Sequence, residues 1–145
     1  MAVATATLTT YPYPKGVDNT QRCNVVRGTI TLSTGTYPPG GFSLSWNNLP
    51  GVYSIPIPGS TPSSTSTPTP FDVDVKSVGD RAQNGNIGPS GFIYLWDSVV
   101  GNLHVFVSDN GASSASGPLV EYGGPLSGDL VNDTIQFTAY FYRNN

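Results

Sequence analysis

The stretch from Gly91 to Arg143 constrains this chain more than any other. It reads GFIYLWD, a turn, NLHVFVSDNG, a small-residue loop, PLVEY, a second loop and DTIQFTAYFYR. Phe92, Tyr94 and Trp96 alternate with Ile93 and Leu95, and Leu103, Val105 and Val107 alternate with His104 and Phe106. Ile135, Phe137, Ala139 and Phe141 then alternate with Gln136, Thr138, Tyr140 and Tyr142. Period-two alternation is the signature of a strand, whose successive side chains point to opposite faces. Turn residues between such runs read as hairpin connections. Hardly any side chain in the stretch suits acid–base or nucleophilic chemistry, so it reads as built to pair strands and present a surface.

The rest of the chain agrees. Cys23 to Ser33 forms a strand pattern with Val26, Gly28, Ile30 and Leu32 on one face. Phe42, Leu44 and Trp46 share one side of a second pattern, and Phe71, Val73 and Val75 are expected inward in a third, opposite Asp72, Asp74 and Lys76. The single Glu, the two lysines, 17 glycines and 13 prolines leave little material for helices. The expected fold is all-β: one sandwich or barrel-like domain of about seven to eight short antiparallel strands.

Two segments interrupt this pattern. Residues 1–20 contain a Thr/Ala/Val stretch and then Tyr11-Pro12-Tyr13-Pro14, where each proline pushes its predecessor to an extended conformation. They are expected to form an extended arm before a domain over 21–145. Residues 56–70 are rich in Pro, Ser and Thr, and their missing backbone donors bar a central strand; a long exposed loop is expected. The connections over 80–90 and 109–117 also read as polar or flexible loops.

Charge and cysteine count exclude several functions. A net charge of −3 with only six Lys and Arg gives no basic patch, so neither nucleic acid nor an anionic membrane is an expected partner. No run approaches the ~18 apolar residues of a membrane helix. Cys23 is alone and forms no disulfide within the chain; at a strand start it reads as a small hydrophobe. MAVATATLTT shows neither a basic n-region nor an apolar h-region, so folding in a reducing cytoplasm is expected.

No catalytic or metal-binding constellation stands out, so neither enzymatic activity nor a cofactor nor a metal is expected. His104 is the single histidine and reads as an ordinary strand side chain. Gly41-Phe42-Ser43-Leu44-Ser45 lacks the second glycine of a nucleophile elbow. Asp72 and Asp74 share a face but lack the oxygen ligands of a calcium loop, and Asp109-Asn110-Gly111 fits a β-turn as well as part of such a loop. Asn132-Asp133-Thr134 spells a glycosylation sequon only. Glu121 has no second carboxylate nearby in sequence for glycoside hydrolysis. Trp46 and Trp96 belong with apolar strand faces and are expected in the core. Tyr11, Tyr13 and Tyr37 lie in Pro-containing loops and are the candidate partner contacts, because tyrosine is enriched at interfaces. Val3, Thr5 and Thr7 join them, since an extended arm can add a strand to a neighbouring sheet edge.

The order of these pieces resembles a family of small proteins encoded in the structural modules of tailed bacteriophages, near the major capsid gene. The resemblance rests on Val25, Val26, Gly28, Thr29, Ile30 and Ser33, on Tyr37, Gly40, Gly41 and Leu44, and on Gly91, Phe92, Trp96 and Asp97. Leu103, Val105 and Phe106 follow, then the Gly/Ala/Ser loop 111–117, Pro118, Leu119 and Glu121, and last Ile135, Phe137 and Ala139. It spans about residues 22–142. The Pro56–Pro70 segment and Asn102, where the family often has lysine, depart from it. The resemblance implies a capsid decoration or cement protein. Its partners would be the major capsid protein and copies of itself, in a trimer at local threefold positions, on the virion exterior. A carbohydrate- or host-surface-binding module on a fibre, or a tail or connector component, are the alternatives.

Overall fold

The computed structural model describes residues 1–12, 16–19, 23–46, 69–80, 92–108 and 119–142. Most of the expected 56–70 loop lies outside the described residues, as do Tyr13 and nearly all of the connections over 80–90 and 109–117.

The chain is all-β, with two antiparallel sheets facing each other. The larger sheet contains β1 (Ala6–Thr10), β2 (Val17–Asn19), β3 (Cys23–Leu32), β5 (Asp72–Asp80) and β9 (Asp133–Tyr142). Its order is β1-β3-β9-β5, with β2 beside β1 on the same edge of β3. The smaller sheet contains β4 (Phe42–Ser43), β6 (Phe92–Asp97), β7 (Asn102–Ser108) and β8 (Leu119–Glu121). There β7 is central, with β6 on one side and β4 and β8 on the other.

The core lies between the sheets. Val26, Ile30, Leu32, Val73, Ile135, Phe137, Ala139 and Phe141 come from the larger sheet, and Phe42, Tyr94, Leu103 and Val105 from the smaller. The inward apolar residues of β9, Ile135, Phe137, Ala139 and Phe141, are all at most 2% exposed, as strict alternation requires of a central strand with one face on the core. Trp46 sits among Trp96, Phe137 and Phe141 in three edge-to-face contacts at 5.7–5.8 Å, the geometry that ring quadrupoles favour. Trp46 therefore lies in the core, and Trp96 packs against it.

Four local readings change. The opening residues do not form a free arm: β1 pairs with β3 from Ala6↔Leu32 to Thr10↔Gly28, and Ala4 and Leu8 enter the core. Gly28 makes this possible, because a Cβ there would overlap the Thr9 carbonyl oxygen and come 2.8 Å from the Phe137 ring. The Phe42–Trp46 strand shortens to Phe42–Ser43, since its partner β7 begins at Asn102 and gives way to the 98–101 turn; Leu44 and Trp46 stay buried without a ladder. Phe71 faces outward, not inward, because the backbone bends there before β5 begins. A one-turn helix, α1 (Gly128–Val131), is capped by the Ser127 hydroxyl accepting from the Leu130 N–H, and it plugs the core with the fully buried Leu130.

Candidate functional site

The predicted contact residues do not converge. Val3 and Thr5, which precede β1, and Thr7 on β1 are exposed, alternating with the buried Ala4 and Leu8. Tyr11 is half-buried beside Arg27, whose carbonyl accepts the Tyr11 N–H at 2.9 Å. Tyr37 is not a surface contact: it is 6% exposed, and its ring packs edge-on against Phe42 and Tyr122. The prolines that follow it suggested a surface loop. Gly40 and Gly41, at φ +82° and +87°, turn the chain straight back, so Tyr37 and Phe42 are buried together.

The outer face of the smaller sheet brings together more. The register places Ile93 beside Phe106 and Phe106 beside Glu121, with Leu95 beside His104 in the next row. Ile93 is 42% exposed, Leu95 52% and Leu119 52%. The β6–β7 turn adds Val99 and Val100, both strongly exposed. That turn is held by the Asp97 carboxylate, which accepts the Val99 N–H at 2.7 Å and the Val100 N–H at 3.3 Å. The alternation of Ile93 and Leu95 with Phe92, Tyr94 and Trp96 is legible in the sequence. In the structure the Ile93–Leu95 face is open.

A shallow groove of about 480 Å³ runs over this face, lined by Leu95, Trp96, Asp97, Ser98, His104, Phe106 and Glu121. A polar chain runs inward from its His104 and Glu121. The Val105 N–H donates to the Tyr37 hydroxyl at 3.2 Å, and that hydroxyl donates to Glu121 Oε1 at 2.8 Å. His104 Nδ1 meets the same oxygen at 2.7 Å. Burial pushes the Tyr37 phenol well above its ordinary value, and the neighbouring Glu121 carboxylate adds to the shift. Burial alone would raise Glu121, but the hydrogen bonds from His104 and Tyr37 outweigh it and hold the carboxyl below the usual range.

The arrangement orients an imidazole, as a carboxylate does in acid–base sites. No hydroxyl or thiol among the described residues is hydrogen-bonded to His104 Nε2. Nor do three or more His, Cys, Asp or Glu side chains gather there into a metal-binding group. Asp72 and Asp74 lie exposed on the other sheet, and Cys23 is half-buried at the start of β3. Among the described residues no helix is long and apolar enough to cross a membrane. The polar chain links β7, β8 and the Tyr37 turn to one another beneath an apolar surface.

Compared with protein-family models, with curated proteins and with solved structures, the chain finds no match in any of the three.

Proposed function

We propose that this chain is a virion structural protein that docks on the outside of a tailed-phage capsid and stabilises it by bridging capsid subunits. One observation carries the reading: the open apolar face of the smaller sheet, where Ile93, Leu95 and Leu119 stand exposed around Phe106. Contiguous exposed apolar surface on a small protein marks an interaction site. Its occupant is taken to be the capsid shell because the order of strand and loop motifs resembles that of capsid decoration proteins.

The physics suits a cement. A stable protein contact removes about 800 Å² per partner from water. Repetition over a shell multiplies modest affinities into strong retention. No bond is made or broken in this role. Copies of the chain would meet around a threefold position, and β1, which has no strand on its outer side among the described residues, offers an edge for that contact.

Heating tests the reading. Particles that carry the protein should release their genome at a higher temperature than particles stripped of it. Equal release temperatures would remove the stabilising role.

A further inference from the structure

The outer face of the larger sheet carries a different surface. On β9, Thr138 lies between Arg27 and Asp74, and Gln136 lies between Thr29 and Lys76. One row further on, Tyr140 lies between Val25 and Asp72. These side chains point away from the core because Phe137, Ala139 and Phe141, which alternate with them, are buried.

At one end of this face three rings form a platform. The Phe71 ring lies 4.5 Å from Tyr142 at 34° and 6.2 Å from Tyr140 at 40°. Phe71 is 40% exposed and Tyr142 60% exposed. The Phe71 N–H donates to the Tyr140 carbonyl at 2.9 Å, which fixes the backbone beneath the rings. Beside the platform is a polar groove of about 240 Å³, lined chiefly by Tyr11, Arg27, Asp74, Lys76, Gln136 and Thr138. Rows on one face of a strand are about 7 Å apart, so platform and groove are within reach of one short ligand. Among the described residues neither the Asp74 carboxylate nor the Lys76 ammonium pairs with an opposite charge.

The chemistry defines the ligand class. Stacked, exposed rings offer flat apolar faces. The groove mixes carboxylate and amide acceptors with ammonium, guanidinium, amide and hydroxyl donors. The charges of Arg27 and Lys76 are balanced by those of Asp72 and Asp74, so a phosphate or nucleic-acid backbone gains little here. A neutral pyranose has what both parts require: a C–H face to lie on a ring, and vicinal hydroxyls that donate and accept together. The geometry points to a glycan-binding site for neutral hexose or N-acetylhexosamine units, with Phe71 and Tyr142 as the stacking platform and Asp74, Lys76 and Gln136 as hydroxyl partners. This face is opposite the one assigned to capsid docking, and the inference does not depend on that assignment.

A printed array of neutral hexose and N-acetylhexosamine oligosaccharides, probed with the purified full chain, is the first test. The best binder is then titrated by intrinsic tyrosine fluorescence. Binding to at least one oligosaccharide is expected, with Phe71→Ala and Tyr142→Ala each weakening it about tenfold, the size of one stacking contact. Asp74→Asn should weaken it without touching the platform, and Leu95→Ser, on the other sheet, should leave it unchanged. Both rings and Asp74 are exposed, and circular dichroism verifies that each variant is folded. No binding above background, or binding that survives both ring substitutions, would overturn the inference. So would a platform that captures capsid protein and no glycan.

Discussion

The Tyr94 hydroxyl donates a 2.6 Å hydrogen bond to Asp133 Oδ2, joining β6 of the smaller sheet to β9 of the larger one across the interior. Asp133 is only 7% exposed, and its other oxygen accepts from the Ser77 hydroxyl on β5 at 2.8 Å. Three strands from two sheets thus share one carboxylate. Apolar packing would allow the sheets to slide on one another; a buried carboxylate with fixed partners does not.

Tyr94→Phe should therefore destabilise the fold while keeping nearly the same volume. The carboxylate loses a charge-assisted donor, a cost of about 1.5–3 kcal/mol. Urea unfolding followed by tryptophan fluorescence measures it. A midpoint equal to that of the parent protein would show that the bond contributes nothing.

Removing residues 1–10 should cost stability, because Ala4 and Leu8 are core residues and β1 covers the edge of β3. Gly28→Ala should act in the same direction, since the added Cβ overlaps the Thr9 carbonyl and presses on Phe137. Limited proteolysis should cut the Gly28→Ala chain within its first ten residues sooner than the parent. Equal resistance would indicate that β1 is not held against β3.

Two groups on the smaller sheet make stability depend on pH in opposite directions. The Glu121 carboxyl is lowered from its ordinary 4.5, so its contribution is present above that value and is lost as acid titrates the folded form. The Tyr37 phenol is raised from its ordinary 10.0, so its contribution is present below that value and is lost as the solution becomes more alkaline. Tyr37→Phe should flatten the alkaline limb of the urea midpoint against pH, and Glu121→Gln the acid limb. An unchanged profile in either variant would show that the hydrogen bonds at Glu121 Oε1 do not set these limbs.

Much of the fold was legible because alternation is a local signal. Ile135 to Phe141 and Leu103 to Val105 face inward as their period requires, and Trp46 and Trp96 are packed together. The same signal was present in Ala4, Ala6 and Leu8, but short side chains among threonines resemble an arm, and only pairing with β3 makes them a strand. Tyr37 misled because prolines signal surface, whereas the paired positive-φ glycines after it decide where the ring goes. Phe71 took the opposite face because a bend interrupts the period. The meeting of His104 with Glu121 depends on the register of β7 with β8, and that of Phe71 with Tyr142 on the pairing of β5 with β9; neither is a local property.

Docking through the smaller sheet is tested most directly by cosedimentation of the purified chain with capsids stripped of it. Leu95→Asp places a charge in the middle of the exposed apolar face while leaving the core untouched. The parent chain should pellet with the capsids to a fixed, saturating ratio, and the folded Leu95→Asp variant should remain in the supernatant. Equal binding of the two chains, or no binding of the parent, would contradict the account.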